Sequence, residues 1–279
     1  MLSVLETPCD KSMVHRPRKR FGQHFLHDAS AIRRIVDIIA PTADDIMVEI
    51  GPGLGAITQP LLARLGRMQA IELDRDVIPR LIARCAGAGD LTIHQTDALT
   101  FDFAGLAANQ GTLRVVGNLP YNISTPLIFR LLECAHAIQD MHFLLQREVV
   151  DRIRAAPGSR DYGRLSVMVQ YRCRCERLFL VANRAFSPPP QVESALLRLV
   201  PYRRPPVAVG NERRFARVVR QAFSQPRKTI KNNLKGLLDV ADIKTAGVDP
   251  TLRPERLSLA QFAALADVDP TFAPPRPQS

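Results

Sequence analysis

The chain has 279 residues, of which 46% are hydrophobic, and a formal net charge of +11, so it can bury one sizeable core and a smaller unit. No apolar run approaches the length of a membrane span and no signal-peptide region precedes the basic residues, so we expect neither a membrane protein nor a secreted one. The five cysteines form no C-x-x-C pair, which indicates reduced cytosolic thiols and no zinc site.

The N-terminal segment has two parts. Residues 1–16 show no periodicity and are predicted to be a flexible lead. Arg18, Lys19 and Arg20 follow, and a helix is predicted over residues 30–39. The basic residues could lie over a cofactor pocket and touch phosphate. The segment taken alone favours a solvated arm.

A strand, a glycine-rich turn and a helix are predicted over residues 46–65. The apolar strand leads directly into Gly51-Pro52-Gly53-Leu54-Gly55, and apolar residues at helical spacing follow from residue 56. This arrangement is the nucleotide-binding half of a doubly wound α/β fold. Gly51 and Gly53 would let a ligand approach the backbone where a side chain would collide with it.

Acidic residues follow the next two predicted strands. Glu72 lies near the end of strand 68–73, where a carboxylate can accept hydrogen bonds from both hydroxyls of a ribose. Asp97 follows strand 91–95 and could accept the amino group of a cofactor adenine, or it could simply cap the next turn. The glycine spacing matches the G-x-G-x-x-G dinucleotide fingerprint poorly, which disfavours a nicotinamide dehydrogenase.

The most informative stretch is Asn118-Leu119-Pro120-Tyr121, which follows the strand predicted over residues 113–117. An exocyclic amine on an aromatic base is a poor nucleophile, because its lone pair is delocalised into the ring. The Asn118 side-chain oxygen and the Leu119 carbonyl can each accept one N–H and pull the nitrogen toward tetrahedral geometry. Pro120 stiffens the turn, and Tyr121 offers a flat face to the base. The tetrad alone is equally consistent with a strand that ends in a polar turn.

Alternating strands and helices continue to residue 200 and predict an α/β fold with a mainly parallel sheet of seven strands. The last three strands are predicted near residues 141–146, 175–181 and 192–199. The hydroxyl of Ser124 is predicted to cap the helix that follows the tetrad.

The C-terminal quarter is the basic part of the chain. Residues 201–279 carry 14 Lys and Arg against 7 Asp and Glu, a net +7, whereas residues 31–200 carry 19 against 17. Basic residues recur at steps of three to four over residues 213–235 between apolar faces. Pro226 is predicted to split this stretch and to lie in the first turn of the second helix. The basic stripe suits a polyanion backbone, and a solvated face in an Arg-rich chain is the alternative.

These patterns divide the chain into five segments. They are a flexible lead 1–16, a Rossmann-like domain 17–200, a linker 201–210, a helical RNA-binding domain 211–267 with its last helix capped by Ser258, and a disordered tail 268–279.

Several motifs, in order along the chain, resemble the bacterial small-subunit ribosomal RNA adenine dimethyltransferases of the KsgA/RsmA type. The matching segments are residues 18–26, 49–55, 71–74, 117–126, 141–148, 162–167, 185–190 and 227–229. Glu49-x-Gly51-x-Gly53 resembles the first motif of methyltransferases that use S-adenosylmethionine. The resemblance implies a Rossmann-like methyltransferase sheet with a small C-terminal helical domain, and dimethylation of the N6 of two adjacent adenines near the 3′ end of small-subunit (16S) rRNA.

The resemblance also implies roles for individual residues. The cofactor would lie among His24, Leu26, Gly51, Gly53, Glu72, Asp97 and Asn118. Asn118 and Leu119 would orient the amine, and Tyr121 and Phe186 would stack on an adenine taken out of its helix. RNA would be bound by Arg18, Lys19, Arg20, Arg220, Arg227, Lys228 and Lys231. No cluster of residues indicates a metal.

Two positions depart from the family pattern, namely His24, where Asn is common, and Pro226, where Arg is usual. The implied partner is small-subunit rRNA in an immature ribosomal subunit, and we expect a cytoplasmic monomer. A large-subunit rRNA adenine methylase of the resistance type shares the tetrad, but the long helical C-terminal domain favours the small-subunit type. A non-catalytic ribosome-assembly factor on the same fold is disfavoured by the intact cofactor and tetrad residues.

Overall fold

The computed structural model describes residues 24–268. The predicted lead 1–16, the basic residues Arg18, Lys19 and Arg20, and the predicted tail beyond residue 268 lie outside this range. No helix within the described range is both long and apolar enough to cross a membrane.

The strands of the described chain form one large sheet and one small ribbon. They are β1 (Phe25–Leu26), β2 (Ile46–Ile50), β3 (Arg67–Ile71), β4 (Asp90–His94), β5 (Leu113–Asn118), β6 (Ile138–Gln146), β7 (Cys173–Val181), β8 (Phe186–Ser187) and β9 (Ser194–Pro201).

Helices connect the strands and make up the C-terminal part. They are α1 (Ala29–Ile39), α2 (Thr58–Leu65), α3 (Ile78–Cys85), α4 (Phe103–Gln110), α5 (Ser124–Glu133), α6 (Arg147–Arg154), α7 (Arg164–Arg172), α8 (Glu212–Ala222), α9 (Ile230–Asn233), α10 (Val240–Thr245) and α11 (Leu259–Asp267).

The large sheet has seven strands in the order β4-β3-β2-β5-β6-β9-β7. The first five are parallel, and β9 runs antiparallel to both of its neighbours. The direction of strand order reverses between β2 and β5, and ligands of doubly wound sheets bind outside the carboxyl ends of the strands at such a point. The small ribbon pairs β1 with β8, so that Leu26 lies opposite Phe186.

The predicted α/β architecture is confirmed, and each of the seven predicted strands is present with its ends displaced by three residues at most. The predicted helix 30–39 is α1, which begins at Ala29 because the Asp28 side chain accepts the Ala31 amide at 2.8 Å. Ser258 caps the last helix, as predicted, in a capping box with Gln261.

Two local predictions were wrong. Ser124 does not cap α5, because its hydroxyl turns back to donate to the Tyr121 carbonyl at 3.2 Å and the helix begins at Ser124 itself. Pro226 separates two helices, but it lies in the turn before α9 and not in the first turn of that helix, which begins at Ile230.

Helix α7 contributes to two hydrophobic cores. Leu165 and Val169 pack with β5 and β6 in the core on one face of the sheet. Val167 and Tyr171 belong to the core of the C-terminal helices, together with Phe215 of α8. Residues four apart lie on one face of a helix, so α7 joins the sheet to the C-terminal helices through its two opposite faces.

Candidate active site

A cavity of about 800 Å³ lies at the switch point of the sheet, which is the place between β2 and β5 where the direction of strand order reverses. Its walls come from the carboxyl ends of β2, β3 and β5, from the segment around β1, and from residues 187–188 after the start of β8. The predicted site residues that line it are His24, Leu26, Gly51, Gly53, Glu72, Asp97, Asn118, Leu119 and Tyr121. The structure therefore brings together nine residues that span almost a hundred positions of the sequence.

Two glycines of the turn adopt a backbone conformation that favours glycine. Gly51 has φ +66° and Gly53 has φ +53°, in the left-handed region that other residues rarely adopt. A Cβ atom on Gly53 would lie 3.0 Å from the ring of Phe25. The turn is thus closed to side chains on two grounds, and its backbone forms part of the cavity wall.

Glu72 directly follows β3 and is held by two backbone amides. Its Oε2 accepts the Gly53 amide at 3.1 Å and its Oε1 accepts the Asp74 amide at 2.8 Å. Burial raises the pKa of this carboxyl above its ordinary value, and the two amide donors oppose that rise. The hydrogen bonds tie the acid to the glycine turn, so both parts of a nucleoside site are fixed relative to each other.

Glu49 also lines the cavity, although the sequence indicated it only as part of a motif. The residue is 2% exposed, and its Oε2 has no hydrogen-bond partner. Burial raises the pKa of Glu49 to about 7; the nearby Thr58 hydroxyl lowers it without reaching hydrogen-bond geometry, and the charge of Glu72 raises it. An acidic residue within the otherwise apolar strand Ile46–Ile50 was the signal that could have identified it.

The structure shows one of the two roles that the sequence left open for Asp97, and contact with a cofactor adenine stays a prediction. Its Oδ1 accepts the Leu99 amide at 2.9 Å, which makes it a turn-capping residue. The residue also lines the cavity beyond β4. Because the turn fixes the carboxylate, Asp97 can present its other oxygen to a ligand.

Asn118, the last residue of β5, directs one acceptor into the cavity. Its Nδ2 donates to the His24 carbonyl at 2.8 Å, so the planar amide turns Oδ1 away from that wall. Leu119 donates its amide to the Leu144 carbonyl at 3.2 Å, and its own carbonyl accepts no hydrogen bond within the described chain. Both residues line the cavity, and Asn118 Oδ1 and the Leu119 carbonyl have no hydrogen-bond partner among the described residues.

Tyr121 is fixed at both its ring and its hydroxyl. The hydroxyl shares a hydrogen bond of 3.0 Å with Ser194, and burial raises the pKa of the phenol, which keeps it neutral. The His24 ring stacks on the Tyr121 ring with centroids 5.3 Å apart and an interplanar angle of 29°. His24 Nδ1 also bonds the Pro188 carbonyl at 2.7 Å. His24 therefore connects the tetrad with the loop after β8.

Phe186 does not line the cavity in this structure. Its side chain is 1% exposed and packs in the core with Leu26 and Val181, because successive residues of β8 face opposite sides. Its neighbours Ser187 and Pro188 form the wall instead. Stacking of Phe186 on a base would require the ring to leave this packing, so that role stays a prediction.

The predicted RNA-binding residues within the described range lie in the C-terminal helical part, on two helices and in the turn between them. Arg220 is in the last turn of α8, Arg227 and Lys228 are in the turn after Pro226, and Lys231 is in α9. All four are exposed, and none makes an ion pair with another described residue. Arg18, Lys19 and Arg20 lie outside the described residues.

Within residues 24–268, no group of three or more potential ligands could hold a metal ion. Cys85, Cys134, Cys173 and Cys175 are free thiols. The described residues thus form a pocket of the kind that binds nucleotides, next to two oxygen atoms that can accept hydrogen bonds from an amine.

A seven-stranded sheet of this order, with a glycine turn and a fixed acid at the switch point, defines the Rossmann-like methyltransferases that use S-adenosylmethionine. The model of the ribosomal RNA adenine dimethylase family matches residues 14–268, and the chain belongs to this family.

Individual relatives agree with this assignment. The chain is 56% identical over 253 residues to a ribosomal RNA small subunit methyltransferase A of Pseudomonas fluorescens strain Pf-5, which covers 91% of this chain and 94% of that protein. Its fold is similar to that of a dimethyladenosine transferase from Plasmodium falciparum, with a TM-score of 0.72 at 24% identity over 87% of this chain and 96% of that one. It is also similar to the 23S rRNA methyltransferase ErmE, with a TM-score of 0.65 at 25% identity over 87% and 98% of the two chains.

Proposed function

We propose that this chain transfers methyl groups from S-adenosylmethionine to the N6 of two adjacent adenines near the 3′ end of small-subunit (16S) rRNA. The proposal depends above all on one observation, the pair of acceptors formed by Asn118 Oδ1 and the Leu119 carbonyl at the cavity. An amine that donates one N–H to each acceptor has its lone pair directed away from both of them. The 56% identity to a small-subunit methyltransferase supports the small-subunit RNA as substrate.

The residues around the cavity fit the cofactor. Glu72 would accept the ribose hydroxyls, Asp97 would accept the adenine amino group, and the backbone of the turn at Gly51 and Gly53 would approach the cofactor closely. Glu49 offers a buried carboxyl oxygen without a partner, which suits a ligand that carries positive charge. When bound, S-adenosylmethionine supplies a methyl group on a positively charged sulfur that departs as a neutral thioether.

The adenine N6 is the nucleophile of the reaction. Asn118 and Leu119 would orient its lone pair toward the methyl carbon that the bound cofactor would supply, so that the new bond to N6 would replace the bond from that carbon to sulfur. The alkylated nitrogen is strongly acidic, so its proton passes to water and no general base is required. Holding the two reactants in line supplies much of the acceleration, because such positioning can contribute roughly 7–11 kcal/mol.

Transfer of the second methyl group places a further demand on the same two acceptors. After the first transfer the nitrogen has only one N–H, which must choose between Asn118 Oδ1 and the Leu119 carbonyl. Tyr121, fixed by Ser194 and His24, would hold the base by its face while the substituents on N6 exchange places.

The C-terminal helices would hold the RNA. Exposed and unpaired cations at Arg227, Lys228 and Lys231 can neutralise backbone phosphates. We further propose that the chain acts as a monomer in the cytoplasm on an immature small subunit. The free thiols of the described chain are consistent with a reducing compartment.

Labelled cofactor and unmodified ribosomal subunits test this function. The protein should label the small subunit, and mapping should locate the label on N6 of two neighbouring adenines. Label in the large subunit would instead favour the resistance-type methylase. Tight binding to the small subunit without any label would favour a non-catalytic assembly factor.

A further inference from the structure

Helices α7 and α8 pack antiparallel and differ in charge at their two ends. At one end the Tyr171 and Phe215 rings lie 4.6 Å apart. At the other end Tyr162, just before α7, meets Phe223, just after α8, with ring centroids 6.3 Å apart. The two helices are therefore in register over their whole common length.

At the first of these ends an arginine is paired with a carboxylate. Arg172 of α7 pairs with Glu212 of α8, and the Tyr171 hydroxyl donates to the same carboxylate at 3.1 Å. Opposite charges at a helix contact are the ordinary arrangement, because they offset each other without a ligand.

The second end holds two positive charges and no carboxylate between them. Arg164, two residues after Tyr162, and Arg220, three residues before Phe223, both lie at this end. Burial and, to a smaller extent, the nearby charge of Arg220 lower the pKa of Arg164. Both side chains are exposed, and neither forms an ion pair with a described residue. Two neighbouring cations repel each other, whereas an anion placed between them is attracted to both, so the three charges together are stable.

Phe129 of α5 orients one of the two cations. The guanidinium carbon of Arg164 lies 4.6 Å from the centroid of the Phe129 ring. Stacking occupies the face of the guanidinium and leaves the N–H groups on its edge available. A planar fork of N–H donors held in this way matches a phosphate oxygen pair.

The position of Phe129 relates this site to the cavity. Helix α5 begins at Ser124, three residues beyond Tyr121, and Phe129 lies five residues further along. At 1.5 Å per residue this is about 7.5 Å along the helix axis. The helix that begins next to the Asn118–Tyr121 tetrad therefore also carries the ring on which Arg164 stacks.

We propose that Arg164 and Arg220 together bind one backbone phosphate of the RNA substrate, and that the Phe129 ring holds Arg164 in place for this contact. The inference rests on the proposed function, because it takes the ligand to be the RNA that this chain methylates. It assigns a role to the junction between the sheet and the C-terminal helices.

The test uses the full chain and small ribosomal subunits that lack the adenine methylation. Affinity is measured over a series of salt concentrations for wild type, Arg164→Gln, Arg220→Gln and the double variant. Each single variant should lose roughly tenfold in affinity. The double variant should flatten the slope of log affinity against log salt by about 0.7–0.9, the value for one phosphate. A loss near twice that value would mean two separate phosphates and would overturn the shared site.

Two further variants separate this site from a general effect of charge. Phe129→Leu keeps every charge, so it should lower affinity by about two- to fivefold while the salt slope stays at the wild-type value. Arg172→Gln removes one charge from the paired end of the same helix and should leave both quantities near wild type. An equal loss in Arg172→Gln, or wild-type binding by the double variant, would refute the proposal.

Methyl transfer by the wild-type protein distinguishes a failure of the phosphate site from a failure of the proposed function. If wild type labels the small subunit while the double variant binds normally, the phosphate site is wrong and the proposed function stands. If wild type neither binds nor labels the subunit, both are wrong.

Discussion

The Asn118 side chain donates to the His24 backbone carbonyl at 2.8 Å, across 94 positions of sequence. This hydrogen bond decides which atom of the amide faces the cavity. The segment around β1 lines the pocket and holds the Asn118 amide, which orients the acceptor in the proposed mechanism.

Replacement of Asn118 by Ala should abolish most methyl transfer and leave RNA binding largely intact. Loss of one preorganised polar group at a reacting centre commonly costs about 10²–10³ in rate. Single-turnover labelling of the small subunit measures the rate of methyl transfer. The affinity of each variant for the same subunit, at one salt concentration, measures RNA binding. Near-normal turnover would remove Asn118 from the role of orienting the amine.

Replacement of Gly53 by Ala should weaken cofactor binding by distorting the turn. The left-handed backbone costs about 1–2 kcal/mol with a side chain, and the new Cβ would also meet the Phe25 ring at 3.0 Å. Calorimetry gives the cofactor affinity and chemical denaturation gives the stability. Gly163→Ala is the matched control, because that glycine has φ −161° and open space around its Cβ position. Equal effects of the two substitutions would contradict the argument.

Replacement of Glu72 by Gln should lower cofactor affinity by roughly tenfold or more. An amide nitrogen cannot accept a hydrogen bond, so the Gln side chain would leave one of the Gly53 and Asp74 amides without its acceptor. Calorimetry with S-adenosylmethionine provides the measurement, and Glu176→Gln, on the exposed part of β7, is the control. Unchanged affinity would show that Glu72 does not hold the ribose.

Glu49 should make stability depend on pH. Burial raises its pKa from 4.5 to about 7, so the folded state binds the proton more tightly than the unfolded state. Its stabilising contribution to the free energy of unfolding is therefore complete below pH 4.5 and is lost as the pH rises through about 7. The difference between the two pKa values corresponds to a loss of stability on the order of 3 kcal/mol. Glu49→Gln, compared with wild type by denaturation at several pH values, should show a flatter profile, whereas parallel profiles would mean that Glu49 ionises normally.

Local sequence patterns were sufficient for much of the site. The glycine turn, Glu72 and Asn118 each directly follow or end a strand, and the carboxyl ends of neighbouring parallel strands meet at one edge of the sheet. Their convergence could therefore be predicted without knowing any side-chain contact.

The remaining features depend on tertiary packing. The direction in which Phe186 points is set by its pairing with Leu26, and no periodicity reveals the register of two-residue strands. The unpartnered oxygen of Glu49 depends on what surrounds β2 on both faces. The sharing of α7 between two cores needs contacts between residues 162–171 and 215–266, which lie far apart in sequence.

The two-sided packing of α7 has a mechanical consequence for substrate choice. Because Leu165 and Val169 are anchored in the sheet while Val167 and Tyr171 are anchored in the C-terminal helices, the two parts cannot slide past each other without opening a core. Under the proposed function, this packing fixes the distance from the C-terminal helices to the cavity, so the RNA must present its target base at that distance.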